Sequence, residues 1–157
     1  MVKTRVQAII IQNNCVLFGY GKDHHFFIGG GLEEEETPEE ATLRELKEEA
    51  RVNGTILFRI REPASPEQLA SSYNAHVTFL VDIQDRIPLI GYDPEETDTG
   101  DQISLAGLQL IPLDRKELFT EIDKQYFRYL MAECTHKGLE YPWCKAMRHL
   151  IEEKSQI

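Results

Sequence analysis

Three glutamates are spaced so that their carboxylates fall on one side of a helix. Glu45, Glu48 and Glu49 lie three and four positions apart, and at about 100° per residue they share roughly a 100° arc of a helical surface. Like charges at this spacing disfavour a helix unless a cation neutralises them. Carboxylate oxygens suit Mg²⁺, with Mn²⁺ as a substitute, and such ions complete their shells with water and phosphate oxygens. The spacing therefore indicates metal-assisted phosphoryl chemistry, and a solvated acidic helix face is the alternative interpretation.

The helix that carries these glutamates has a well-defined start. Thr37 is followed by Pro38 and, three residues after Thr37, by Glu40, which matches a capping box with proline at the first helical position. We predict a helix from residue 38 to about residue 51. One side of it is apolar, and we expect that side to pack on a sheet while the acidic side faces outward. The apolar residues are Leu43, Leu46 and Ala50.

Segments with strand character flank the helix. β-Branched and apolar residues predict strands at 4–12, 15–20, 24–28, 55–61, 75–83 and 108–113. The glycines at 29–31 are expected to break regular structure and to let the backbone approach another group closely. Residues 84–104 are rich in proline, glycine and acids, and we interpret them as a flap beside the site. Helical patterns at 115–133 and 143–153 end the chain.

Length and charge limit the classes of protein that the chain can belong to. Its 157 residues fit one domain spanning 1–157, with C-terminal helices from about residue 115, and the hydrophobic fraction of 41% is ordinary for a globular protein. The net charge of −10 argues against binding a nucleic acid polymer through clustered lysine and arginine. Three cysteines without CxxC spacing, no signal peptide and no apolar run long enough for a bilayer predict a cytoplasmic protein without a membrane segment.

Residues 30–52 read GGLEEEETPEEATLRELKEEARV, which resembles the Nudix box G-x5-E-x7-R-E-U-x-E-E-x-G-U, where U is an aliphatic residue. So many fixed positions in register make chance agreement improbable. The resemblance, which is to MutT-like members of the Nudix hydrolase family, implies an α/β fold: a Nudix-type α/β/α sandwich with a mixed central sheet. The matching residues are Gly30, Glu36, Arg44, Glu45, Leu46, Glu48, Glu49 and Val52.

The resemblance also implies a role for each matching polar residue. Glu45, Glu48 and Glu49 would hold the metal, and one of them would orient or deprotonate the attacking water. Arg44 would orient carboxylates rather than touch the substrate. Glu36 would sit beside the metal, and Gly30 would turn a backbone amide or carbonyl towards it. Some relatives recruit another carboxylate from a later loop, and the candidates in the predicted flap are Glu95, Glu96, Asp98 and Asp101.

The match departs from the family pattern at three positions. Arg51 replaces the second glycine of the box, and an arginine in the left-handed conformation of a helix C-cap costs about 1 kcal/mol relative to glycine. We therefore expect that the helix can run on to Asn53 and Gly54, with shifted geometry rather than lost chemistry. Ile28 stands where proline is often found, and Glu35 where glycine is common. None of these departures removes a proposed ligand.

The expected activity is Mg²⁺-dependent hydrolysis of a phosphoanhydride bond in a nucleoside diphosphate derivative. A (deoxy)nucleoside triphosphate cleaved to monophosphate and pyrophosphate is the first expectation, and an ADP-ribose or nucleotide-sugar pyrophosphatase is the alternative, because loops specify the attached group. A noncatalytic nucleotide-binding sensor with the same fold is the rival from another class. Such a sensor would usually have lost metal carboxylates, and these remain here. Relatives are often dimers, so a homodimer is one allowed assembly.

Other residue groups are weaker candidates. Cys134, His136, Cys144 and His149 could form a zinc site on paper, but their spacing matches no familiar ligand pattern, so partly buried helix residues are the preferred interpretation. His25, just before the glycines, could contact substrate or carry a proton, although a surface position is the simpler interpretation. Phe26 and Phe27 alternate across the predicted strand, so one should enter the core and the other could face a nucleobase. We take His25 and Phe27 as the candidate substrate contacts.

Overall fold

The computed structural model describes residues 3–62, 75–90 and 107–152. Three α-helices lie in these ranges: α1 (Pro38–Ala50), α2 (Glu121–Lys137) and α3 (Cys144–Ile151). A short 3-10 helix, Lys116–Leu118, precedes α2. The strands are β1 (Thr4–Gln12), β2 (Cys15–Gly21), β3 (His24–Phe26), β4 (Ile28–Gly31), β5 (Thr55–Ile60), β6 (Ala75–Asp82) and β7 (Gly107–Pro112).

The seven strands form one mixed sheet around β1. The main order is β3-β2-β1-β6-β5, with β4 paired to β1 and β7 paired to β2. β1 and β6 run parallel, and the other pairs are antiparallel. Since β1 pairs with β4 along its first half and with β2 at its last two residues, the start of β1 lies beside the glycines of β4.

Alternating side chains of the sheet build a separate core on each face. On one face, Val6 and Ala8 of β1 pack with Leu46 and Ala50 of α1. On the other face, Ile9 packs with residues of both C-terminal helices, among them Phe127, Leu130, Met147 and Leu150. A sheet covered by helices on both faces is the predicted α/β/α sandwich, which the structure confirms. No helix in the described part of the chain is long and apolar enough to cross a membrane.

The element predictions from sequence are mostly confirmed, and the corrections concern strand bounds, the glycines and helix ends. The single strand predicted at 24–28 is two strands, β3 and β4, which separate at Phe27. The glycines at 29–31 do not break regular structure, because Gly29, Gly30 and Gly31 belong to β4 and pair with β1. The helix predicted from 115 begins at Glu121, where Thr120 provides its capping box with Asp123.

The end of α1 is also a correction. The helix does not run on to Asn53 and Gly54 but ends at Ala50, with Arg51 as a left-handed C-cap at a φ of 56°. Glu35, the other residue in a position where the family often has glycine, also has a positive φ, 64°. Both departures from the family pattern therefore keep the left-handed backbone that glycine adopts without strain.

Candidate active site

The capping box sets the position of the acidic helix. The Thr37 hydroxyl accepts from the Glu40 amide, and the Glu40 carboxylate accepts from the Thr37 amide, with Pro38 as the first helical residue. The acidic side of α1 does not face outward as predicted. Glu45 is 1% exposed and Glu49 is 4% exposed, because this side of the helix is turned towards the sheet. Glu48, with its side chain 24% exposed, is the accessible member of the three.

Gly30 in β4 makes room for the Glu45 carboxylate. A Cβ atom added to Gly30 would lie 2.6 Å from the carboxyl carbon of Glu45 and 2.9 Å from its Oε2. Such distances are far below van der Waals contact, so only glycine allows this approach. The expectation that a glycine brings the backbone close to another group is therefore met at Gly30.

Arg44 is the centre of an ion-pair network. Its Nε donates to Glu36 Oε2 at 2.7 Å and its Nη2 to Glu36 Oε1 at 3.1 Å, a two-pronged pairing. Its Nη1 donates to Glu45 Oε1 at 3.0 Å and to Glu48 Oε2 at 3.2 Å. Two glutamates of the Nudix-like pattern thus converge on one cationic nitrogen.

The network reaches two groups that sequence reasoning did not identify. Arg44 Nη2 also donates to the Gly31 carbonyl at 3.2 Å, and the Glu33 amide donates to Glu36 Oε1 at 3.0 Å. Both contacts involve backbone atoms, which carry no residue-type signal in a sequence. They fix Glu36 and Arg44 against the end of β4.

Electrostatics in the network favour the charged forms. The hydrogen bonds from Arg44 hold the pKa of Glu36 below its ordinary value, more than offsetting the raising effect of burial. The same bond raises the pKa of Arg44, with further contributions from Glu45 and Glu48. Arg44 is therefore a permanent positive charge among carboxylates at neutral pH.

The donor set suits a divalent cation. Oxygens of Glu45 and Glu48 lie within 3.2 Å of one positively charged atom, so they already converge on positive charge, and hard oxygen ligands are those that Mg²⁺ and Mn²⁺ prefer. Among the residues described, no three histidine, cysteine or acidic side chains are arranged to hold one ion. Binding an ion between Glu45 and Glu48 would therefore require the Arg44 Nη1 contacts to rearrange.

The structure does not bring His25 and Phe27 to this carboxylate cluster. Phe27 is 5% exposed and packs in the core on the face of the sheet opposite α1, edge-on to Tyr126 and Phe127. His25 packs on the Phe18 ring with centroids 4.2 Å apart, and its Nε2 lies 2.6 Å from Asp123 Oδ2. Both side chains lie on the sheet face opposite α1, and their contact with a substrate stays a prediction.

The other candidates from the sequence are the cysteine and histidine group and the flap carboxylates. Cys134 and Cys144 are buried in the core with α2 and α3, whereas His136 and His149 are exposed. The two cysteines are therefore buried helix residues, whereas the two histidines are exposed rather than partly buried as expected. The flap carboxylates lie outside the described residues: Glu95, Glu96, Asp98 and Asp101.

Comparison with known proteins identifies relatives. A family model described as NUDIX domain matches residues 2–130. No curated protein matches the chain significantly. Among solved structures, a NUDIX hydrolase from Nitrosomonas europaea is similar, with 18% identity, a TM-score of 0.62, and coverage of 88% of this chain and 74% of that one.

Two further solved structures are similar and longer. A bifunctional NMN adenylyltransferase/ADP ribose pyrophosphatase from Francisella tularensis, complexed with AMP and a Mn ion, has 21% identity and a TM-score of 0.60, with 85% of this chain and 42% of that one covered. A UDP-X diphosphatase has 18% identity and a TM-score of 0.59, with 85% and 64% covered. The chain thus spans less than two thirds of either protein. At these identities the likeness shows a shared fold.

Proposed function

The chain belongs to the Nudix family, whose domain matches residues 2–130, and on this basis we propose that it hydrolyses a phosphoanhydride bond in nucleoside diphosphate derivatives. The observation that carries the proposal is the convergence of Glu45 and Glu48 on Arg44 Nη1, at 3.0 and 3.2 Å, on a helix whose neighbour strand is shaped by Gly30 to receive Glu45. Carboxylates gathered in this way are suited to holding a cation against phosphate.

We assign the cation-binding role to Glu45, Glu48 and Glu49, with the backbone at Gly30 alongside. Mg²⁺ is the proposed ion and Mn²⁺ the substitute, because all the donors are oxygens. When bound, the ion neutralises phosphate charge and lowers the pKa of a bound water. Glu36 supports this set through Arg44 rather than as a direct ligand, since both of its oxygens accept from Arg44.

The three functional side chains of α1 differ in exposure, and we propose roles accordingly. Glu45 is buried and held by Arg44, so it is a fixed ligand. Glu48 is accessible enough to meet water, with 24% of its side chain exposed, and we propose that its carboxylate orients the attacking water and accepts its proton. Arg44 positions both carboxylates and does not contact the substrate.

Two substrate classes fit this chemistry. Nucleoside or deoxynucleoside triphosphates, cleaved to monophosphate and pyrophosphate, are the class first expected from the sequence. Nucleoside diphosphates linked to a sugar are favoured by the names of two similar structures, an ADP ribose pyrophosphatase and a UDP-X diphosphatase. Both classes present a diphosphate to the same carboxylates, so they differ only in the group attached beyond it.

A substrate panel with two glutamate variants tests the proposal. Release of phosphate, pyrophosphate or nucleoside monophosphate is measured with Mg²⁺ or Mn²⁺ on triphosphates, ADP-ribose and UDP-glucose. Glu48→Gln should reduce kcat by at least about 100-fold, as expected when a positioned proton acceptor is lost. The matched control is Glu39→Gln, which removes an exposed carboxylate from the first turn of the same helix and should leave kcat within about twofold.

The outcome also decides between an enzyme and a binding protein. Turnover of one class that depends on Glu48 and not on Glu39 would support the hydrolase and name its substrate. No turnover on any panel member with either ion, together with tight binding of one nucleotide, would instead support a noncatalytic sensor.

A further inference from the structure

A buried polar cluster lies on the face of the sheet opposite α1. Gln7 of β1 and Thr78 of β6 are register partners, and Gln7 Nε2 donates to Thr78 Oγ1 at 3.0 Å. Thr78 Oγ1 in turn donates to Glu62 Oε2 at 3.2 Å. Gln7 is 5% exposed and Thr78 is fully buried. The residues next to them along β1 and β6, which point to the α1 face, are apolar. The fold therefore keeps polar groups in a place where packing alone would favour aliphatic residues.

The carboxamide of Gln7 has unused hydrogen-bonding capacity. A glutamine side chain offers an acceptor oxygen and two N–H donors, and within the described part of the chain only one of these donors is engaged, by Thr78. The Gln7 carboxamide oxygen accepts no hydrogen bond within the described part of the chain and keeps some contact with solvent, so it can accept a hydrogen bond from a ligand. The Thr78 contact holds the amide nitrogen in place, so the rest of the carboxamide is presented in a defined orientation.

Half-buried side chains surround Gln7 on this face. Arg5 and His76 are register partners two residues before Gln7 and Thr78. The Tyr126 hydroxyl of α2 lies 3.2 Å from His76 Nδ1, and its ring contacts Phe27 with centroids 5.6 Å apart. Since Phe27 adjoins β4 and His76 lies on β6, Tyr126 spans the face above the start of β1, where Gln7 lies. A polar floor with aromatic sides is the environment in which proteins bind planar polar ligands.

The cluster lies directly behind the carboxylate site. Across β1 and β4, Gln7 pairs with Gly29 and Arg5 pairs with Gly31, and the Gly31 carbonyl accepts from Arg44. Gly29 lets β4 lie close against β1 at this position, since a Cβ atom on Gly29 would lie 2.8 Å from the Gln7 Cα. Two strand positions correspond to about 7 Å, a distance that a ribose bridges between a base and its phosphates. A nucleotide could therefore reach from Gln7 past the end of β4 to α1.

We propose that Gln7 is a specificity-determining residue that binds the nucleobase of the substrate, with Thr78 as its positioning residue. The inference rests on the proposed function for the diphosphate end of the ligand. A carboxamide pairs with a base edge that places an N–H donor beside an acceptor, as glutamine does with N6 and N7 of adenine. The N3 and O4 edge of uracil has the same donor and acceptor pair, and guanine and cytosine carry such pairs on their own edges. Adenine and uracil nucleotides are chosen for the test because an ADP ribose pyrophosphatase and a UDP-X diphosphatase are similar in fold.

Binding of AMP, UMP and ribose 5-phosphate, measured by calorimetry, tests the proposal without requiring turnover. In Gln7→Met, which keeps the side-chain length but removes both polar atoms, the preferred nucleotide should bind at least about 5-fold more weakly, since a good bidentate pair contributes about 1–3 kcal/mol. Ribose 5-phosphate, which lacks a base, should bind as it does to the unaltered protein. Comparing AMP with UMP shows which of these two bases is preferred.

Two further variants separate recognition from structure. Gln7→Asn retains a carboxamide on a shorter arm and should bind the preferred nucleotide with intermediate affinity. Gln12→Met makes the same chemical change on the same strand, where the glutamine donates to the Gln84 and Arg86 carbonyls, and should leave nucleotide binding unchanged. In steady-state assays on the substrate that the panel identifies, Gln7→Met should raise KM by a similar factor with kcat within about twofold.

Three results would overturn the proposal: no preference between bases in the unaltered protein, unchanged nucleotide binding in Gln7→Met, or an equal loss for all three ligands. A failure of the proposed function is distinguishable from these. If the protein shows no turnover but binds nucleotides in a base-dependent way that requires Gln7, the inference about Gln7 is supported and the proposed hydrolase function is rejected. Glu48-dependent turnover with binding indifferent to Gln7 would do the opposite.

Discussion

Gly30 and Glu45 lie in direct contact, so that a methyl group on Gly30 would lie 2.6 Å from the carboxyl carbon of Glu45. This contact joins β4 to α1. It also sets how deeply the Glu45 carboxylate sits between them, with 1% of the residue exposed.

Gly30→Ala should displace Glu45 and weaken cation binding. The added methyl group cannot be accommodated without moving the carboxylate or the strand, and overpacking of this kind costs about 1–3 kcal/mol. We expect Mn²⁺ affinity, measured by electron paramagnetic resonance, to fall at least about 10-fold. Gly107→Ala is the control, because a Cβ atom there meets nothing within 4 Å. Equal Mn²⁺ affinity in both variants would contradict the proposed placement of Glu45.

Arg44→Met should destabilise the fold. It leaves the carboxylates of Glu36, Glu45 and Glu48 without the charge that now holds them, and removing one partner of a largely buried ion pair typically costs several kcal/mol. Because 21% of the Arg44 side chain is exposed, we expect a loss of about 2 kcal/mol in the free energy of unfolding measured with urea. Arg44→Lys keeps the charge but not the two-pronged geometry, so an intermediate loss is expected.

A double-mutant cycle that combines Arg44→Met with Glu36→Gln measures the interaction between Arg44 and Glu36. Glu36 and Arg44 share two hydrogen bonds of 2.7 and 3.1 Å, so their effects on unfolding should not add. We expect a coupling free energy of about 1 kcal/mol or more. Additive effects within experimental error would mean that the pair contributes nothing beyond its separate residues.

Arg51→Gly should stabilise the protein. Arg51 is exposed and has a φ of 56°, a backbone conformation that glycine adopts about 1 kcal/mol more easily than residues with a Cβ atom. Urea denaturation should show a gain of about 0.5–1 kcal/mol. Arg51→Ala removes the same side chain without relieving the backbone and is the matched control. A gain of equal size in both variants would show that the arginine side chain, and not the backbone, is responsible.

The protein should become less stable as the pH is lowered below neutrality, because His76 takes up a proton more easily in the unfolded chain than in the folded one. Burial, assisted by the nearby Arg5, lowers the pKa of His76 below its ordinary value of 6.5. The unfolded chain therefore binds this proton at a higher pH than the folded chain does, so stability is complete above about pH 6.5 and is lost as the pH falls towards the folded pKa.

Substitution of His76 tests this dependence directly. In His76→Gln the free energy of unfolding, measured between pH 7.5 and 5, should decline less than in the unaltered protein. The exposed His136, at the end of α2, is the control site, and His136→Gln should retain the full decline. An unchanged pH profile in His76→Gln would assign the decline to other groups.

Local rules in the sequence were enough to predict α1 and its chemistry. The Thr37 capping box, the proline at its first position and the glutamate spacing act over one or two helical turns, and the helix forms where they place it, from Pro38 to Ala50. The strands were predicted for the same reason, since alternation and turn residues act over a few positions. Arg51 misled the prediction of the helix end, because its residue type disfavours the left-handed conformation that the fold imposes.

The sequence by itself determined that the chain has a Nudix-type acidic helix between strands, because spacing along one helix decides which side chains share a face. Only the tertiary structure decided that Glu45 and Glu49 are buried, that Gly30 rather than another glycine meets Glu45, and that Phe27 packs on the face opposite α1. These relationships depend on the register of β1 with β4 and β6, which joins residues as far apart as Gln7 and Thr78. Register is set by packing of the whole sheet against helices on both faces, and no local pattern specifies it.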